Sequence, residues 1–278
     1  MRPRGRSEAI MGAILGIDAA WTPNGSSGVA LIRQVDAERW ESAAAEAGYS
    51  AFITRSDCGS FEKLNDQPPI RQLVQAAEHL AKTQVTLVVA DMPLARHSIA
   101  NRRVADQRVS EAFGARGCST HSPTKDRPGL LSEHIRAGFE KSSYQLVTNA
   151  KHLPNKALIE TYPHPALLSL MSENYRLSYK VKNTAKYWSN SDRPARMEYL
   201  LDVLRSILDR LSREISGIDF EVPRIAETFS ELKPIEDKID ALICAWVGIQ
   251  ALDGKAEPYG DEEAAIWLPT KDAGGCAS

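Results

Sequence analysis

The chain has 278 residues, 43% of them hydrophobic and 25% charged, with a formal net charge of −2. That length gives one large domain or a core domain with an insertion, and no apolar run reaches the ~18 residues of a membrane span. The near-neutral total carries no global signal for nucleic acid. Its distribution is uneven, however: seven Lys/Arg against three Asp/Glu over 96–127, six against one over 176–196, and six against eleven over 198–240.

Cys58, Cys118, Cys244 and Cys276 form no CxxC and no paired spacing. This argues against a zinc site and against disulfides, and so predicts a cytoplasmic protein. The basic opening MRPRGR is not followed by a signal-peptide apolar segment. Residues 1–11 and 271–278 read as disordered tails around a single domain over 12–270.

Residues 13–18, AILGID, read as a buried strand ending in Asp18. Turn residues follow, and 28–33, GVALIR, reads as a second strand, antiparallel to the first across a hairpin. The alanine-rich stretch 40–49 fits neither period, and 51–56 is predicted as a third strand. After Gln67-Pro68-Pro69, apolar residues at Ile70, Leu73, Val74, Ala77 and Leu80 predict an amphipathic helix over 70–83. Residues 85–90, VTLVVA, are continuously apolar, as in a strand covered on both faces. That strand ends at Asp91, before Pro93. The helix ahead of it makes a crossover, hence parallel pairing with an earlier strand.

Residues 96–150 are predicted as an insertion over the strand ends, with helices within 98–113 and 130–141 and a loop between them. Residues 156–161, KALIET, form a strand ending near Glu160, stopped by Tyr162-Pro163-His164-Pro165, with a helix from 166. Over 197–215, Met197, Leu200, Leu201, Leu204, Ile207, Leu208, Leu211 and Ile215 line one helix face, and Gly217 ends it. A connector leads to the last helix, 235–252. The order predicts a mixed α/β sheet, antiparallel in its first strands and parallel afterwards, with helices on both faces.

The last helix, IEDKIDALICAWVGIQAL, is apolar almost all round, so it should be buried. Yet Asp237 and Asp240 share one of its faces. Ionised groups entering a core need a positive partner. Acidic residues near a helix start also suit the macrodipole, so the pair alone leaves both readings open. Asp18 and Asp91 tip the balance, because ligand sites gather at the carboxyl ends of parallel strands. Converging carboxylates repel unless neutralised. Oxygen-only donors suit magnesium or manganese, and two such ions can stabilise both attacking and leaving oxygens in phosphodiester hydrolysis. Glu160 is a further candidate ligand. Arg102, Arg103, His121, Lys125 and Arg127 in the insertion, with Lys180 and Arg196 in the second basic stretch, are candidates to hold phosphates. Trp21 offers a face for a base, and His164 is expected to pack in its turn.

The motifs GIDAAW, VVADMPLA, RRVAD…HSPTKDRP, IETYPHPAL and EDKIDALICAW follow one another from Gly12 to Pro269. In that order they resemble a bacterial and archaeal family of uncharacterised proteins described as predicted ribonuclease H-like nucleases. The late-helix acidic pair is similar to that of RuvC-type resolvases. The resemblance implies a ribonuclease H-like fold and a metal-dependent nuclease or phosphodiesterase. It implies magnesium or manganese held by Asp18, Asp91, Asp237 and Asp240, with Asp18 bridging the ions, and nucleic acid, DNA or RNA, as partner. One departure is that the resolvases carry Glu where this chain has Asp91. Two rival readings stand beside it: an ATP-using phosphotransferase of the sugar-kinase and actin type, and a non-catalytic binding protein that keeps the fold. Against the first, Asp18 is followed by AAWTPNG rather than a Gly-Thr-rich phosphate loop. No GxGxxG, Walker loop or HExxH is present. Substrate and oligomeric state stay open.

Overall fold

The computed structural model describes residues 12–22, 25–57 and 69–270; the expected tails lie outside them, as do Cys58 and Cys276. Strand β1 (Ala13–Asp18) is followed by β2 (Gly28–Gln34) and β3 (Trp40–Ala47), each antiparallel to the one before. Helices α1 (Tyr49–Arg55) and α2 (Ile70–Ala81) lead to β4 (Val85–Asp91), which returns parallel to β1 on its free side. The chain continues through α3 (Val104–Phe113), α4 (Leu130–Lys141), β5 (Gln145–Leu146), β6 (Ala157–Glu160) and α5 (Pro163–Leu170). It then forms α6 (Thr184–Tyr187), α7 (Arg193–Glu214), β7 (Ile215–Ser216), α8 (Lys233–Leu252), β8 (Ala256–Gly260) and β9 (Ala265–Pro269). The nine strands of the described residues join one mixed sheet in the order β7-β3-β2-β1-β4-β6-β9-β8, with β5 beside β6.

The segment 51–56, predicted as a strand, lies instead in α1 and its C-cap. Its buried residues are Phe52, Ile53 and Ser56, and the first two are adjacent, which a half-buried strand would send to opposite faces. Gly48 sits at φ +98°, a conformation that favours glycine, and ends the strand that the alanine-rich stretch has already formed as β3. The helices over 70–81 and 130–141 and the strand from 85 form where the pattern puts them. The apolar run Ala265–Pro269 is a fully buried strand that no sequence expectation anticipates.

Side-chain alternation divides the core between the two faces of the sheet. Ile14, Ile32, Leu87, Val89 and Ile159 pack with α5, α7 and α8. Leu15, Ile17, Leu31, Val88 and Leu158 pack with α2 and α4. The predicted insertion is shared out: α4 joins the second face, while α3 covers β8 and β9 through Ala105, Val109, Ile266 and Leu268. No helix among the described residues is long and apolar enough to cross a membrane.

Two glycines let α8 lie directly on the sheet. A Cβ on Gly16 would fall on the Ala241 carbonyl oxygen and the Ala245 nitrogen; one on Gly28 would fall on the Asp237 carbonyl. The backbone of α8's first turns therefore touches the end of β1.

Candidate functional site

Strands β1 and β4 end in register, Asp18 opposite Asp91. Both lie two residues beyond a position that faces α8 (Gly16 and Val89), so both carboxylates are directed to the α8 side. Asp240, fully buried, comes from α8. Its Oδ1 accepts the Tyr179 hydroxyl at 2.7 Å, and its Oδ2 accepts the Lys180 ammonium. Glu236, one turn earlier, accepts the Val181 backbone N–H at 2.6 Å and stands 3.6 Å from the same ammonium. Lys233 bonds Glu236 at 3.0 Å and also reaches Asp237 Oδ1. The other Asp237 oxygen is buried without a partner among the described residues. Neither Asp18 nor Asp91 accepts a side-chain hydrogen bond or closes an ion pair among the described residues.

The charges interact strongly. Burial, then the neighbouring Asp240, holds the Asp18 carboxyl well above the usual carboxylate range against the opposing pull of Lys180. Burial also pushes Asp91 up to about 7, again against Lys180. Asp240 is raised chiefly by burial, with Lys180 opposing. Burial works against the Lys180 ammonium, but Asp240, Tyr179 and Glu236 outweigh it and hold the lysine firmly charged.

A cleft of about 780 Å³ opens over Asp18 and Asp91. Its walls are basic: Arg127, Arg176, Lys182 and Lys186 stand there with Lys180 and Lys233. Trp21 lines one wall, and the Arg127 guanidinium lies 6.0 Å from its ring centre. His164 is a buried part of the lining, edge-on to Tyr162 and Tyr179. Its Nε2 lies 2.5 Å from Arg176, and its Nδ1 is buried without a partner. Burial, then Lys180 and Arg176, keeps this histidine neutral. A second cavity of about 580 Å³, between α7 and residues 224–227, shares no residue with the cleft.

Of the residues proposed from sequence, Asp18, Asp91, His121, Arg127 and Lys180 line the cleft, and Asp237 and Asp240 stand behind it. The others go elsewhere. Arg102 binds Ser122 Oγ at 2.8 Å and the Asp106 carbonyl at 2.9 Å, stapling a loop. Lys125 is exposed on its loop, and Arg196 sits in the first turn of α7. Arg103 and Glu160 pair with each other. Glu160 lies opposite Ala90 in β6, so alternation turns it to the face away from α8. Its oxygens accept Arg103 at 2.6 and 2.7 Å and the Leu94 N–H at 2.7 Å. Those bonds leave neither residue facing the Asp18–Asp91 pair. Arg176, Lys182, Lys186, Lys233, Tyr179 and Glu236 join the site without having been singled out. Four of them, Arg176, Tyr179, Lys182 and Lys186, fall in the basic stretch 176–196, and Glu236 precedes Asp240 by one helical turn, a spacing visible in sequence.

Among the described residues, no three His, Cys, Asp or Glu side chains stand together as a group that could hold a metal ion. Lys180 and Tyr179 each engage one oxygen of Asp240, and Asp18 and Asp91 remain as an uncommitted pair.

A family model described as "Protein of unknown function (DUF429)" matches residues 16–265, and the chain belongs to that family. No curated protein and no solved structure matches it. Membership brings no assigned activity, and the likeness to ribonuclease H-like nucleases rests on the motifs alone.

Proposed function

We propose that this member of the DUF429 family is a metal-dependent nuclease or phosphodiesterase of ribonuclease H-like fold, working in the cleft above β1 and β4. The observation that carries the reading is the Asp18–Asp91 pair: two uncommitted carboxylates, in register at the ends of adjacent parallel strands, beneath a basic wall. An antiparallel β1–β2–β3 meander, a parallel β4 beside β1 and an acidic helix across the strand ends support the fold assignment.

The donor set fits a hard divalent cation. It is made of oxygens only, and a buried Asp237 oxygen has no partner among the described residues. Asp18 and Asp91 would hold magnesium or manganese, with Asp237 and Asp240 completing the negative field behind them. A bound divalent ion supplies Lewis-acid stabilisation of charge on the phosphoryl oxygens. Arg127, Arg176, Lys182 and Lys186 hold the flanking phosphates, and Trp21 offers its face to a base.

The test is incubation with single-stranded, branched and hybrid oligonucleotides in manganese or magnesium. Ion-dependent cleavage is expected, lost in Asp18→Asn and Asp91→Asn while both variants keep the wild-type circular dichroism spectrum. Manganese binding without cleavage of any phosphodiester would overturn the reading. A second reading, capture of a phosphate-bearing ligand without turnover, draws on the engagement of Asp240 by Lys180. It would be favoured by equal nucleic-acid binding in wild type and Asp18→Asn with no product from either.

A further inference from the structure

We infer that Lys180 is a built-in cation: its ammonium occupies one of the cation positions of the carboxylate cluster, so that the protein takes a single divalent ion at Asp18 and Asp91. The inference rests on the metal-site reading above and refines it.

Asp240 has no solvent exposure, and each of its oxygens is already engaged by a donor of this chain. An ion bound there would have to share those oxygens and sit against the charge of the Lys180 ammonium. Lys180 is not a loose surface lysine. Three consecutive residues fasten the segment to α8: the Tyr179 hydroxyl to Asp240 at 2.7 Å, the Lys180 ammonium to Asp240 and Glu236, and the Val181 N–H to Glu236 at 2.6 Å. Tyr179 is itself fully buried, its ring centre 5.3 Å from that of His164. The ammonium is therefore delivered by an anchored backbone, and its side chain is only 15% exposed. Lysine suits the role because its head is a compact point charge with three donors.

The carboxylates still outnumber the ammonium groups, and the unmatched ones lie in a different place. Lys180 and Lys233 face Asp18, Asp91, Glu236, Asp237 and Asp240, two ammonium groups against five carboxylates. Among the described residues, Asp18 and Asp91 have no partner of their own, and an Asp237 oxygen, on a residue 1% exposed, is unpaired within Coulombic reach of Asp18. Lys180 also lines the cleft, so the same ammonium faces an incoming phosphate.

The experiment is manganese calorimetry on the full chain, with low-temperature electron paramagnetic resonance to report spin-coupled ion pairs. Wild type, Lys180→Met, Lys180→Arg and Asp240→Asn are compared. Wild type is expected to bind one ion without spin coupling. Lys180→Met frees Asp240 and is expected to bind one ion more, with a coupled signal, whereas Lys180→Arg keeps the wild-type count. Asp240→Asn guards against misfolding of Lys180→Met: it is expected to retain one ion with affinity within about threefold of wild type. Two ions in wild type, an unchanged count in Lys180→Met, or loss of manganese binding in Asp240→Asn would each overturn the inference and leave the metal-dependent reading standing. No ion in wild type would sink metal dependence and the single-ion count together, and one ion appearing only in Lys180→Met would trace that failure to the Lys180 ammonium.

Discussion

Two buried ionic clusters lie on opposite faces of the same sheet end, and they are built on different terms. On the α2 and α4 face, Arg103 spends all five of its N–H donors. They reach Asp106 at 3.0 and 2.8 Å, Glu160 at 2.6 and 2.7 Å, and the Leu94 carbonyl at 2.8 Å. On the α8 face, Asp18 and Asp91 have no donors, and negative charge is left over toward a cleft. Burial raises Glu160 and Asp91 alike, each to about 7, so the shift does not separate the two clusters. The partners do. A carboxylate whose lone pairs are filled by a fixed guanidinium is part of the architecture; one held in register with another and left bare is available to a ligand.

The sharpest way to break this contrast is to remove one member from each cluster. Arg103→Met strands Glu160 and Asp106 in the interior, and it is expected to cost about 3–5 kcal/mol in urea denaturation. Asp18→Asn removes a carboxyl that burial and Asp240 disfavour in its charged form, so its metal-free stability should equal or exceed that of wild type, while the proposed hydrolysis is expected to fall by about 10³-fold. If Asp18→Asn proved the more destabilising of the two, the α8 cluster would be structural and the contrast would be gone.

The pH dependence follows from the same charges. A carboxyl raised in the folded state makes that state bind more protons than the unfolded chain does between the two pKa values, so stability falls as pH rises through that window. For Asp91 and Glu160 the window runs from the ordinary carboxylate range to about 7. Each group contributes at most about 1.4 kcal/mol per pH unit there. The metal-free protein should therefore be less stable near neutrality than at mildly acid pH. Asp91→Asn should flatten the slope in part, and manganese should flatten only the share of the α8 face. Equal urea midpoints for wild type across that range would contradict the charge distribution. A smaller effect, about 1–3 kcal/mol, is expected for Gly16→Ala, whose methyl meets the Ala241 carbonyl. It should lift α8 and weaken manganese binding, leaving the Arg103 cluster unaffected.

How much of this was legible in the chain depends on how local the signal is. Val85–Asp91 and the last helix announce themselves, because continuous apolar runs need no tertiary knowledge. Asp18, Asp91, Asp237 and Asp240 follow from their places at the ends of those elements. Trp40–Ala47 is concealed because alanine gives a weak period-2 contrast, and only pairing with β2 settles it. Glu160 looks equivalent to Asp91 in sequence, since each closes a buried strand. Only the register, with Glu160 opposite Ala90, sends it to the other face. The role of Lys180 is invisible to any local pattern, because its partner Asp240 lies 60 residues further along the chain.

The weakest effects separate arginines that look alike in sequence. Arg127, Lys182 and Lys186 line the cleft, and Arg127 and Lys186 are not called upon by any side-chain hydrogen bond to hold the fold among the described residues. Alanine at each should change stability by no more than about 0.5 kcal/mol. It should instead lower the salt dependence of nucleic-acid binding by about one unit of logarithmic slope per charge removed. Arg102→Ala is the counterpart. Its guanidinium ties Ser122 to Ser110 of α3, so its loss should appear in the urea midpoint and leave the salt slope unchanged. A reduced salt slope in Arg102→Ala and none in Arg127→Ala would move the phosphate path off the cleft wall and onto the loop, and with it the distinction between charges that hold the fold and charges that face a ligand.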